Sequence, residues 1–208
     1  MKLCMFSPAG HNLERGWPGK IEGNRVIQVA AQTLQAFFTG GGTARDHAEY
    51  PLAEVRLLPP VLHPPSIRIF DAPDRFEFAN PAAIVGPEAT VQAPVEVEVH
   101  GRVCAMIGAE QAIGGFTLLA EFRAPALAPP KDRDFALGLG PVVVTPDEAE
   151  NDFDWDAAVA LAVRNTRLYP GDLLAAPAHE VVRPTEVVEL ELDWIGVLHN
   201  RLRRRRKR

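Results

Sequence analysis

The sequence predicts a mixed, mainly β fold with few helices and a small lobe at its N-terminal end. Three observations lead there. Proline and glycine punctuate the 208 residues with 19 and 16 copies, and both residues end or bend regular elements. The apolar residues fall in short runs that alternate with polar ones, the period of a half-buried strand. Few windows hold an apolar 3.6-residue period for the length of a helix.

The clearest helix candidate runs from about Val26 to Phe38, where Val26, Ile27, Val29, Leu34, Phe37 and Phe38 are apolar, and it stops at Gly40-Gly41-Gly42. A surface loop is expected from there to Glu49. Val55-Arg56-Leu57-Leu58 reads as a strand ended by Pro59-Pro60. A second proline pair, Pro64-Pro65, places a boundary near His63. It divides a lobe of residues 1–62 from a core of residues 63–202, followed by a basic tail of residues 203–208.

Within the core, Val95-Glu96-Val97-Glu98-Val99, Val103 to Ile107, Val142 to Val144 and Val187 to Leu192 are strand candidates. Alternating valine with glutamate turns one face to the core and the other to water. His100-Gly101, between two such runs, resembles a hairpin turn. Asp156 to Val163 is ambiguous: its alanines favour a helix, while Val159, Leu161 and Val163 alternate as a strand would.

Charge and cysteine content narrow the function classes. The formal net charge is −5. Arg201, Arg203, Arg204, Arg205, Arg206, Lys207 and Arg208 supply seven positive charges at the end of the chain, and removing them from −5 leaves −12. Such an acidic body argues against a phosphate-binding face, so nucleic acid could be met only through the basic tail. Two distant cysteines, Cys4 and Cys104, form no disulfide framework and suggest reduced thiols. No apolar stretch approaches the ~18 residues of a membrane span. A soluble, cytoplasmic protein without membrane contact is expected.

Several fragments, taken in order, resemble the fumarylacetoacetate hydrolase family. They are Val55 to Val61, Ser66-Ile67-Arg68-Ile69-Phe70, Asn80-Pro81, Ala83 to Pro87, Met106-Ile107-Gly108, and Ile113-Gly114-Gly115-Phe116-Thr117. Lys131 with Asp134-Phe135, Leu139 to Thr145, Pro170-Gly171-Asp172 and Ile195 to Asn200 complete the set. Together they span about two-thirds of the chain. The resemblance implies a β-roll-like core, usually homodimeric, and a small 2-oxo acid that is cleaved, decarboxylated or isomerised. In the family the substrate's oxygens are chelated on Mg²⁺ or a similar ion, a hard cation that wants several carboxylate oxygens.

Carried over by position, much of that equipment is replaced. His100 and Arg102 stand where the paired metal-binding glutamates would be, Ile69 where an acid opens the domain, Phe76 at the general-base histidine and Pro125 at an arginine. Glu121 is the retained acid and Lys131 the retained lysine, and Phe116 falls in the substrate-facing Gly-Phe-Thr segment. His179-Glu180 takes the place of a Gly-Thr-Pro turn. Glu96 and Glu98 are alternative metal ligands, at a spacing to Gly108 four residues longer than the match requires.

Two functions follow as expectations. One is a divergent enzyme that binds the substrate carboxylate and enolate through Arg102 and Lys131, with Glu121 or His100 handling protons. The other is a non-catalytic ligand-binding, scaffold or partner subunit. No cofactor is expected, or Mg²⁺ or Mn²⁺ if the family's site survives.

Overall fold

A computed structural model gives the architecture and describes residues 1–150 and 152–204. The N-terminal part comprises β1 (Lys2–Pro8), β2 (Trp17–Glu22), β3 (Arg25–Val29), α1 (Leu34–Thr39), β4 (Asp46–Pro51) and β5 (Val55–Leu58). There follow β6 (Ile67–Ala72), β7 (Arg75–Phe78), β8 (Ile84–Val85), β9 (Thr90–Ala93), β10 (Glu98–Ile107), β11 (Ile113–Arg123) and β12 (Leu137–Val144). The chain closes with α2 (Trp155–Ala162), β13 (Leu173–Ala175), β14 (Glu180–Val182), β15 (Val187–Leu192) and β16 (Gly196–Arg204).

Thirteen strands form one sheet whose main path is β4-β3-β2-β1-β12-β11-β10-β13-β6-β7. On its flanks β5 pairs with β1, β8 with β12 and β14 with β10. A second sheet runs β15-β16-β9. The fold is therefore mainly β, as the composition predicts. Leu3 of β1 faces Val143 of β12 across an antiparallel ladder, so hydrogen bonds join the N-terminal strands to the core strands beyond His63.

Strand alternation sorts the apolar residues into three clusters. On β10 and β11, Val99, Leu118, Ala120 and Phe122 turn toward Val188, Leu190 and Leu198 of the smaller sheet. Cys104, Met106 and Leu119 face the opposite way, toward Leu3, Phe38, Ile69 and Leu137. Under α2, Trp155, Ala158 and Ala162 pack on Phe70, Ala105, Ile107 and Leu174. Phe70 and Phe122 are fully enclosed, each worth about 1.5–3 kcal/mol of burial.

The structure corrects several sequence expectations. The helix expected from Val26 to Phe38 is a strand, β3, then a short helix, α1. The β-branched Val26, Ile27 and Val29 favour the pleated surface, and Thr33 starts the helix where its hydroxyl accepts from the Ala36 N–H at 3.0 Å. The loop expected before Glu49 contains β4, which pairs with β3. His100-Gly101 is no turn but the middle of β10. A Cβ on Gly101 would lie 2.8 Å from the Glu180 side chain, so this glycine admits the crossing of β14. Asp156 to Val163 resolves as helix, with the Asp154 carboxylate accepting from the Ala157 N–H. Of the basic tail, Arg203 and Arg204 extend β16; residues 205–208 lie outside the described part.

Candidate functional site

The register of β10 against β11 sets His100 opposite Glu121 and Arg102 opposite Leu119. Successive side chains on a strand point to opposite faces. His100 and Arg102 therefore share one face with Glu121 and Arg123, the face that continues into Cys104, Met106 and Leu119. Ile69 is buried in that same cluster.

Glu121 is completely buried, and its carboxylate is held by two guanidiniums. Arg102 Nε donates to Oε2 at 2.9 Å; Arg123 donates from Nε to Oε1 at 2.8 Å and from Nη2 to Oε2 at 3.0 Å. Arg102 is itself 2% exposed, and its Nη1 donates to the carbonyls of Phe70 at 3.2 Å and Ala176 at 2.9 Å. These bonds tie β10 to the ends of β6 and β13. Burial holds the Arg102 guanidinium below its ordinary range, while the charge of Glu121 pulls it back up. Beside this triad, burial and then Arg123 hold His100 below the usual imidazole value. Its Nε2 has no hydrogen-bond partner among the described residues and sits 3.9 Å from Glu98 Oε2.

The other predicted site residues are dispersed. Lys131 is 76% exposed and pairs with Asp134 at 2.6 Å. Phe116 packs on Trp155 and Trp194. Glu98 pairs with Arg183 and Glu96 with Arg204. His179 lies 3.4 Å from Glu180. Phe76, at the position of a general base, stacks on Phe70 under the Arg68 guanidinium. Arg102, read from sequence as a substrate clamp, directs Nε to Glu121 and Nη1 to two carbonyls.

Arg123 and Arg133 carry weight that the sequence motifs do not assign to them. Arg123 follows Glu121 by two residues, the spacing that puts two side chains on one face of a strand, and that signal is visible in the sequence. Arg133 bonds Glu77 across the segment between β11 and β12. Burial works against its charge, but Glu77 and Glu121 outweigh that and hold the guanidinium above its ordinary range, and nothing local in the sequence marks it.

The arrangement does not suit a divalent cation. At an effective dielectric near 20, a doubly charged ion ~4 Å from a unit charge gains or loses roughly 8 kcal/mol. Glu121 attracts such an ion about as strongly as one guanidinium repels it, and here two guanidiniums flank one carboxylate. Both carboxylate oxygens are already bonded. Among the described residues no group of three or more histidine, cysteine, aspartate or glutamate side chains is placed to hold a metal ion. The buried Cys4 and Cys104 thiols are free, and burial pushes Cys4 up to about 12 and raises Cys104 as well, so neither offers a thiolate.

No protein-family description and no curated protein matches the sequence. Solved structures do match over essentially the whole chain. Fumarylacetoacetate hydrolase from the psychrophile Exiguobacterium antarcticum superposes with a TM-score of 0.78 at 18% identity, covering 99% of this chain and 100% of that one. The chain has the fumarylacetoacetate hydrolase fold. The same fold is shared with maleylpyruvate hydrolase from Sphingobium sp. SYK-6 in complex with manganese(II) and pyruvate, at a TM-score of 0.81 and 18% identity over 98% of this chain and 99% of that one. A 2-keto-3-deoxy-D-arabinonate dehydratase complexed with magnesium and 2,5-dioxopentanoate gives 0.80 and 17% over 100% of both. The fumarylacetoacetate hydrolase fold thus occurs in proteins crystallised with divalent ions and 2-oxo acids. Among the described residues of this chain, no helix is long and apolar enough to cross a membrane.

Proposed function

We propose that this chain is a metal-independent, non-catalytic protein of the fumarylacetoacetate hydrolase fold, serving as a scaffold or partner subunit. One observation carries the reading: the buried carboxylate of Glu121 is saturated by Arg102 and Arg123. An internal guanidinium pair supplies the positive charge against that carboxylate. The strands stay together without a bound ion, and both oxygens of the Glu121 carboxylate are already taken. Solved relatives in fold carry manganese with pyruvate or magnesium with 2,5-dioxopentanoate, so a 2-oxo acid is the first ligand class to test. Homodimerisation, expected from the resemblance, would supply the partner in the simplest assembly.

The metal-free enzyme has less support. Arg102 Nε and Nη1 are already engaged, which leaves only Nη2 for a clamp, and Lys131 is drawn out to Asp134 at the surface. The deciding experiment assays the purified full-length chain for turnover of acylpyruvates and oxaloacetate, with and without Mg²⁺ or Mn²⁺. The expected result is no turnover in either condition. Metal-stimulated turnover would restore ordinary chemistry for the fold, whereas metal-free turnover abolished by Lys131→Ala would establish the clamp.

A further inference from the structure

A groove of about 390 Å³ opens where β10 begins, between the ends of β14 and β16. Glu98 with Arg183 and Glu96 with Arg204 line it as two ion pairs, at 2.6 and 3.3 Å, and Val97, Leu202, Pro125 and Pro184 supply apolar lining. The metal-independent reading makes no use of these residues.

We propose that this groove binds a zwitterionic small molecule, specifically an α-amino acid with an apolar side chain. The two ion pairs that line it leave bonding capacity open. Arg183 sends both Nε and Nη2 to Glu98 Oε1, at 2.9 and 2.6 Å, so its Nη1 and the Glu98 Oε2 atom make no hydrogen bond among the described residues. Arg204 Nη2 reaches Glu96 Oε1 at 3.3 Å, which leaves Glu96 Oε2 similarly free. A ligand carboxylate fits the unused guanidinium donors and a ligand ammonium the unused carboxylate oxygens, without opening either pair. A simple anion meets the two glutamates, and a simple cation the two arginines. Only a ligand bearing both charges is attracted by both members of each pair, and the valine, leucine and proline lining selects an apolar side chain. The volume lies in the range of small-molecule clefts.

Calorimetric titration of the full-length chain with three matched probes tests this: L-leucine, its 2-oxo acid 4-methyl-2-oxopentanoate, and 3-methylbutylamine. L-Leucine is expected to bind saturably, with each singly charged analogue weaker by about tenfold or more. Arg183→Ala and Glu98→Ala should each weaken leucine binding to a similar degree while the circular dichroism melt stays unchanged. Absence of saturable leucine binding, equal binding of the 2-oxo acid, or indifference to both substitutions would each overturn the proposal. The ligand series on the unaltered chain remains decisive even if a variant folds poorly. Failure here leaves the metal-independent reading intact, because the groove shares no residue with Glu121 and its two arginines.

Discussion

The same chemistry, arginine against carboxylate, appears in two regions that behave differently. At Glu121 the charges are sealed inside the sheet, with the carboxylate wholly enclosed and Arg102 2% exposed. At the groove, Arg183 is 80% and Glu96 84% exposed in their side chains, and even Glu98, the most covered of the four, is 24% exposed. Removing one partner of an enclosed pair strands a charge away from water, whereas water replaces a lost partner at the surface. The first region is therefore committed to holding strands together, and the second is free to meet a ligand.

The largest expected effect comes from Glu121→Gln, which leaves two guanidiniums facing a neutral amide. It should cost about 3–5 kcal/mol of unfolding free energy in a urea titration. Arg102→Met alone should cost a similar amount, because it also strands the Phe70 and Ala176 carbonyls. Combining Arg102→Met with Glu121→Leu should recover only part of that loss: it removes the unpaired buried charge, but the Phe70 and Ala176 carbonyls stay stranded and Arg123 loses its carboxylate. A double variant as unstable as the singles would show that the triad specifies the fold beyond its charge balance.

A smaller effect is expected from pH. Burial and Arg123 hold the folded-state pKa of His100 below its ordinary 6.5, so the unfolded chain takes up a proton first as pH falls. Stability attached to neutral His100 is complete above about 6.5 and declines as the pH drops from there through the folded-state value. His100→Gln should flatten that part of the pH–stability curve, followed by thermal melts between pH 7.5 and 5. The smallest effect belongs to Arg183→Ala, whose exposed guanidinium water replaces beside Glu98, so the melt should stay at the unaltered value.

The sequence carried the strand-rich architecture well, because short alternating runs are local signals: Val187 to Leu192 forms β15, although of Val95 to Val99 only Glu98 and Val99 enter a strand. It misled at Val26 to Phe38, where a strand and a short helix share one apolar run and only the Thr33 cap separates them. Gly101 looked like a turn because the crossing strand that requires a glycine there, β14, is about eighty residues away. The site was half legible. The resemblance to the family, carried over residue by residue, is what brought His100, Arg102 and Glu121 together. That Arg102 would close on Glu121, rather than on a ligand, depends on the β10–β11 register and on carbonyls from β6 and β13. Arg133 was invisible for the same reason, since Glu77 comes to it from a distant hairpin.

The most direct test of the central claim is a manganese titration followed by electron paramagnetic resonance on the purified full-length chain. Two guanidiniums closed on the buried Glu121 carboxylate predict that added Mn²⁺ stays as the free hexaaqua signal, with no saturable site. Loss of one equivalent of that signal in the unaltered chain, and its return in Glu121→Gln, would contradict the account.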